Sequence, residues 1–365
     1  MNNIQSNVVA AFHPGYYVNE IIEALETTQK EYAKRLEVSE KILSQLINGQ
    51  TSLSKELALK LSLATNISIG AWLNLQMEYE RRTLEEQKEQ ELKTETAYLK
   101  ILDYKYFVNN GFVLECRSKL EQVKNLLKFL NIASFAILER EDFLVCFRTA
   151  TSRLALNRII CSNAWVQIAL NEALKIETDV YSEKKLRECL PKIRKMSSQS
   201  PQDFLPELRQ ICNRCGIALV LLPHLKNSGV NGATKWITNE KAMIAINARG
   251  KDADKFWFSF MHEIYHVLEK RVKKIMIAGE GERKDYDEAL EKKCDNLSSE
   301  FWIPDREYRV FVHTNKGRFT ENAIRRFSTV IDVHPGIVVG RLQHDKEIDF
   351  NQLNSLKEKY EIVVK

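Results

Sequence analysis

The chain has 365 residues, 44% of them hydrophobic and 28% charged, with a formal net charge of +5. That length suits two or three domains, and the absence of any run of 18 apolar residues argues against a transmembrane helix or a membrane partner. Seven scattered cysteines, an odd number, argue against a disulfide framework and for a reducing cytosol.

Met1 to Asn7 lacks the basic and apolar segments of a signal peptide. His13-Pro14-Gly15 then opens a helical segment through Leu25. Thr28 with Glu31 three residues on makes a capping box, Ser39 caps a following helix, and Gly49 ends it. Ala33, Leu36, Val38, Ile42 and Leu46 supply the apolar contacts expected of two helices joined by a tight turn at Glu37-Val38. This spacing is that of a helix-turn-helix, whose second helix enters the major groove by its N-terminal part. The candidate DNA contacts are Gln29, Lys34, Ser39, Glu40, Lys41, Ser44, Gln45 and Asn48. Residues 13–75 carry a net charge of only −1, which equally suits a helical bundle used for protein contacts. A dimer would gather Lys30, Lys34, Arg35 and Lys41 toward DNA.

Residues 78–95 are charged and helix-favouring and read as the end of the first domain and a linker. Residues 100–200 read as mainly helical, with apolar segments at Ile132–Leu138 and Phe143–Phe147, and carry the basic excess, net +6. It is densest in Lys184–Lys195, either a solvated linker helix or a contact for phosphate or an acidic partner. Cys212-x-x-Cys215 lacks a second pair at zinc-ribbon spacing and reads as helix-end packing.

Ile217–Leu222, Gly232–Ile237 and Ala242–Asn247 are short runs with strand character separated by Gly, Asn and Pro, so a small three-stranded sheet is expected. Gly232-Ala233-Thr234 is a candidate edge for an extended substrate, or plain sheet. Lys255–Lys270 has helical apolar spacing and contains His262-Glu263-Ile264-Tyr265-His266. On a helix the two histidines share a face and can reach one metal ion, while Glu263, about 100° round, can hydrogen-bond a water as catalytic base. Two buried histidines on an amphipathic helix would give the same letters.

Catalytic zinc needs a third protein ligand. Glu291 and Asp295 are i and i+4 on a further helix whose apolar stripe is Leu290, Cys294, Leu297 and Phe301. Glu291 is assigned as the third ligand, with Asp295 orienting a histidine N–H. The two could be exchanged; Glu288 and Glu300 are weaker candidates, and Cys294 could ligate but sits on the apolar stripe. His334 is either a donor to the transition state near the metal or a buried loop histidine.

Two resemblances follow from these motifs. Residues 13–82 resemble HigA-type antitoxins of the Xre helix-turn-helix family, through His13-Pro14-Gly15, Thr28-Gln29-x-x-Tyr32-Ala33, Val38-Ser39, Leu46-x-Asn48-Gly49, Ala58-Leu59-x-Leu61 and Trp72-Leu73-Asn74-Leu75-Gln76-x-x-Tyr79. Glu37 stands where that family's turn usually has glycine. Residues 200–345 resemble ImmA/IrrE-type metallopeptidases, through Gly232-Ala233-Thr234-Lys235-Trp236, the histidine motif, Asp295-x-Leu297-Ser298-Ser299-x-Phe301-x-Ile303-Pro304 and His334-Pro335-Gly336. Cys294, Leu297, Ser298 and Ser299 depart from the small and aromatic residues usual there, while both carboxylates are retained.

The expected fold is mainly α: a helix-turn-helix bundle at 1–82, a helical middle segment at 83–199 and a zincin-like α+β domain with a three-stranded sheet at 200–365. The resemblances imply a cytoplasmic homodimer that binds operator DNA, a RelE-like toxin and a peptide substrate, with Zn2+ as cofactor. The alternative is a binding module whose zinc fold is a scaffold without turnover.

Overall fold

A computed structural model describes residues 12–140, 143, 156–247, 252–269 and 280–360, with the side chains of 280–288 excepted. Residues 144–147 of the expected apolar segment, and Met1–Asn7, lie outside the described residues. The chain divides into two compact units, 1–94 and 95–365. Among the described residues no helix is long and apolar enough to cross a membrane.

The first unit contains α1 (Pro14–Ala24), α2 (Gln29–Arg35), α3 (Glu40–Ile47), α4 (Lys55–Ala64) and α5 (Ile69–Glu95), the last residue of which begins the second unit. His13 accepts a hydrogen bond from Gly15 N–H and Pro14 takes the first helical position, where its missing N–H costs nothing. A Cβ on Gly15 would lie 1.9 Å from the Leu46 carbonyl oxygen, so the motif is glycine because α1 crosses the end of α3 at backbone contact. Thr28 and Ser39 cap α2 and α3 by accepting from Glu31 N–H and Ile42 N–H. The core is Val18, Tyr32, Ala33, Leu36, Leu43, Leu46, Leu57, Leu61 and Trp72. Ile42, expected in this core, is instead 45% exposed. The buried side of α3 is Leu43 and Leu46; Ile42 shares the Leu46 side but lies about 100° from Leu43, at the margin of the buried face.

After a 3-10 turn at Thr96–Lys100, the second unit continues with α6 (Tyr104–Asn109), α7 (Lys119–Leu130), α8 (Leu156–Lys175), α9 (Glu183–Met196) and α10 (Pro201–Arg214). The sheet follows as β1 (Ile217–Leu222), β2 (Gly232–Trp236) and β3 (Ala242–Asn247), then α11 (Ala253–Glu269), α12 (Glu280–Trp302), α13 (Asp305–Asn315), α14 (Glu321–Val330) and α15 (Pro335–His344). The strand order is β1-β3-β2, with β1 parallel to β3 and β2 antiparallel to it. Every residue of β1 and β3 is buried, as both faces are covered.

The middle helices join this sheet. Tyr106 Oη and Trp165 Nε1 both donate to the Pro223 carbonyl just beyond β1, at 2.8 and 3.0 Å. The basic run 184–195 forms most of α9, and Leu186, Ile193 and Met196 bury its apolar side in the core. Arg194 donates to the carbonyls of Trp302 and Ile331 at 2.9 and 2.7 Å. The helix is therefore docked in the unit, which corrects the reading of this run as a solvated linker. Cys212 and Cys215 lie in the same core as free thiols.

Candidate metal centre and nucleic-acid interface

Helix α11 buries Phe256, Trp257, Phe260, Met261, Ile264, Val267 and Leu268 on one broad stripe and His262, Glu263 and His266 on the other side, so it is covered nearly all round and central to its unit. Its start is fixed by Gly340 of α15, where a Cβ would come 2.2 Å from Asp254 Oδ2, and by Lys357, whose Nζ lies 3.0 Å from the same oxygen. Within this frame His262 and His266 lie one turn apart and buried, with their Nε2 atoms 2.7 Å from each other. Glu291 comes from α12, placing Oε2 3.2 Å from His262 Nε2 and Oε1 3.0 Å from His266 Nε2.

The ligand-capable atoms of these three residues lie within 4.8 Å of one another. Burial pushes the Glu291 carboxyl up, but its hydrogen bonds with His262 and His266 outweigh this and hold it well below the usual carboxylate range. Lone pairs that converge in a desolvated site repel one another unless a cation is shared among them. Two imidazoles and one carboxylate form a donor set suited to zinc and leave a fourth coordination position for water or substrate. The residues present fit the ion.

On the outer side of the rings, Asp295 Oδ1 is 2.9 Å from His262 Nδ1. Cys294 Sγ lies 3.7 Å from His266 Nδ1. Burial, reinforced by Glu291 and other carboxylates, pushes the Cys294 thiol up to about 12 and keeps it neutral. Glu300 accepts from Asp305 N–H at 3.0 Å and so caps the start of α13; the Glu288 side chain lies outside the described residues. His334 is not brought into the cluster. Its Nδ1 accepts from Gly336 N–H as the cap of α15, and its Nε2 is 3.7 Å from Glu358. Its burial lowers its pKa, and Glu358 partly opposes this.

Glu263 is buried, and Thr234 Oγ1 donates to its Oε2 at 2.8 Å. A Cβ on Gly232 would lie 2.6 Å from Glu263 Oε1, so glycine leaves room for the carboxylate. Sequence reasoning named Gly232 and Thr234 for the strand edge but missed their contact with Glu263. No spacing rule links a strand to a helix 29 residues away. Hydrogen bonds at Asn247 N to Asn231 O and Ile237 N to Lys241 O fix the ladder's phase. Bonded pairs alternate in an antiparallel ladder, so the N–H and C=O groups of Gly232, Thr234 and Trp236 face away from β3, on the edge of the sheet.

Residues 18–72 match the helix-turn-helix family, and residues 212–341 match the IrrE N-terminal-like domain. An uncharacterized HTH-type transcriptional regulator, YddM, of Escherichia coli (strain K12) is 35% identical over 63 residues, 17% of this chain and 67% of that protein. Virulence-associated protein A' of Dichelobacter nodosus is 38% identical over 76 residues, 20% of this chain and 66% of that protein. The chain belongs to the helix-turn-helix regulators and carries an IrrE-like domain. No solved structure gives a significant match.

In the helix-turn-helix domain Lys34, Ser39, Glu40, Lys41 and Asn48 are exposed, and Gln29, Ser44 and Gln45 are half-buried. Ser39 is engaged as a cap, and Asn48 Nδ2 donates to Ser44 O and Oγ at 2.9 and 3.3 Å. Arg35 pairs with Glu31 at 2.9 Å and Lys60 with Glu56 at 3.4 Å. Among the described residues Lys34 and Lys41 are in no ion pair, which leaves both charges available to phosphate. Glu37 has φ +53°, the left-handed conformation for which its usual family counterpart is glycine.

Proposed function

We propose that this protein is an autorepressing, antitoxin-type DNA-binding regulator whose IrrE-like unit is a zinc-dependent endopeptidase. The observation that carries the enzymatic reading is the convergence of His262, His266 and Glu291, with Glu263 on the same helix and fixed by Thr234. His262, His266 and Glu291 would hold the zinc, which supplies Lewis-acid polarisation of a scissile carbonyl. Asp295 holds the His262 ring in its orientation. Glu263 takes the proton of the attacking water and delivers it to the departing amine, a role that requires a carboxylate. The outward backbone groups of Gly232, Thr234 and Trp236 would pair with an extended peptide, aligning it beside Glu263.

The regulatory reading rests on the helix-turn-helix match and the two capped helices. A homodimer would present two copies of α3 to a palindromic operator in the cytoplasm. Exposed Ile42 adds an apolar side chain beside Lys41 and Gln45, suited to a thymine methyl. The likeness to HigA-type antitoxins supports a RelE-like toxin as protein partner. The decisive experiment incubates the full chain with its neighbouring toxin and candidate repressors, with and without chelator, and sequences the fragments. Chelator-sensitive cleavage is expected; intact partners throughout would instead leave a binding module built on the same fold.

A further inference from the structure

We propose that Cys294 is a positioning residue for His266: its sulfur accepts the Nδ1–H hydrogen bond that turns the Nε2 lone pair toward a metal ion. The inference rests on the zinc reading above.

Both histidines face the same requirement. A ligating imidazole offers one nitrogen to the metal and must place the hydrogen of the other, which fixes the tautomer and the ring plane. At His262 the outer nitrogen is met by Asp295 Oδ1 at 2.9 Å. At His266, among the described residues, the group at Nδ1 is Cys294 Sγ at 3.7 Å. Both partners are buried, so water does not compete for this contact. Cys294 and Asp295 are adjacent on α12, one turn beyond Glu291, so a single turn of helix supplies the third ligand and both outer contacts.

The geometry separates this role from direct ligation. Glu291 and His262 meet His266 at Nε2, whereas the sulfur meets it at Nδ1, on the outer side of the ring. A thiol is a weaker acceptor than a carboxylate. His266 is therefore the less firmly held of the two imidazoles, and the contact sets how tightly the chain retains its metal.

The test measures zinc affinity of the full chain by competition with a chromophoric chelator. Wild type is expected to bind one zinc; Cys294→Ala should bind it about 10-fold or more weakly, as should Asp295→Ala. Cys294→Ser should also weaken binding, because its shorter C–O bond leaves the hydroxyl beyond good hydrogen-bond reach of Nδ1. Nitrogen-15 NMR of the zinc-loaded wild type provides a readout that needs no variant: the His266 ring should carry its proton on Nδ1. Undiminished affinity in both cysteine variants, or a proton on Nε2 of His266, would overturn the role of Cys294 while leaving the zinc site standing. A wild type that binds no zinc would overturn the metal reading and this assignment together.

Discussion

Thr234, in the middle of the edge strand, donates a 2.8 Å hydrogen bond to the carboxylate of Glu263, in the middle of the central helix. The bond joins the surface proposed to align a peptide to the group proposed to move its proton. Thr234→Val keeps shape and volume but removes the donor. Losing one hydrogen bond to a charged group costs about 1.5 kcal/mol or more, so kcat for any cleaved peptide should fall about tenfold, with KM little changed. Thr234→Ser should restore most of the rate. Glu263→Gln should keep zinc and fold while abolishing turnover. Wild-type cleavage by Glu263→Gln would remove it from the mechanism.

The metal prediction concerns three side chains. His262→Ala and Glu291→Ala each remove one of three converging donors, so each should lose nearly all tightly bound zinc, measured by equilibrium dialysis and elemental analysis. Zinc should also raise Tm in wild type and leave the His262→Ala/Glu291→Ala double variant unmoved. At a free zinc concentration 100 times Kd the gain is about 2.7 kcal/mol. Near-stoichiometric zinc in the double variant would disprove the ligand set.

Gly15 tests the packing of the first unit. With a Cβ 1.9 Å from the Leu46 oxygen, Gly15→Ala must push α1 away from α3. A loss of about 3 kcal/mol is expected from urea unfolding, at the upper end of ordinary single substitutions. Gly70 is the control: its nearest neighbour is Ser68 Oγ at 4.0 Å, and it lies in the first turn of α5. Gly70→Ala should stabilise by about 0.5 kcal/mol. Equal effects at the two sites would contradict the close crossing.

What the sequence made legible was local or periodic. Thr28, Ser39 and Gly49 mark helix ends by chemistry confined to a few residues, and all three act there. The three strand segments were readable from alternation and breakers, ending at Trp236 rather than Ile237 in β2. The i, i+4 pairs His262/His266 and Glu291/Asp295 were readable because a helix puts them on one face. Pairing order was not readable: nothing in the runs says that β3 lies between β1 and β2. Tertiary contacts between distant elements were equally hidden, including Thr234 on Glu263, Cys294 on His266, and the turning of His334 to Glu358. Ile42 shares a face with Leu46 by spacing, but it sits at the margin of the buried side of α3, and the i, i+4 pattern alone does not say where that side ends.

Glu37 offers a prediction in the opposite direction. At φ +53° a non-glycine residue carries a backbone cost of about 1–2 kcal/mol. Lys60 donates to the Glu37 carbonyl oxygen at 3.0 Å, a contact that survives loss of the side chain. Glu37→Gly should therefore stabilise the first unit by about 1 kcal/mol despite glycine's greater freedom when unfolded. It also removes an acid at the turn before α3, so operator affinity should rise slightly. A less stable variant would show that the side chain has a role the turn needs.

The last prediction concerns DNA. Lys41 and Gln45 are one turn apart on α3 and accessible to a groove, and Lys41 is in no ion pair among the described residues. A dimer should protect a palindromic operator whose half-sites are about one helical turn apart. Lys41→Ala should weaken all sequences alike and reduce the slope of log K against log salt by about 1, as one phosphate contact is lost. Gln45→Ala should instead relax preference at one base position, at a cost of about 1–3 kcal/mol on the preferred sequence. Residues 13–75 are nearly neutral, so affinity should be modest, with a shallow dependence on salt. A chain ending near residue 94, the limit of the first compact unit, tests whether the remainder contributes. Equal binding by both forms would confine recognition to the helix-turn-helix unit. Failure of both to bind their own promoter at low salt would assign this helix pair to protein contacts instead.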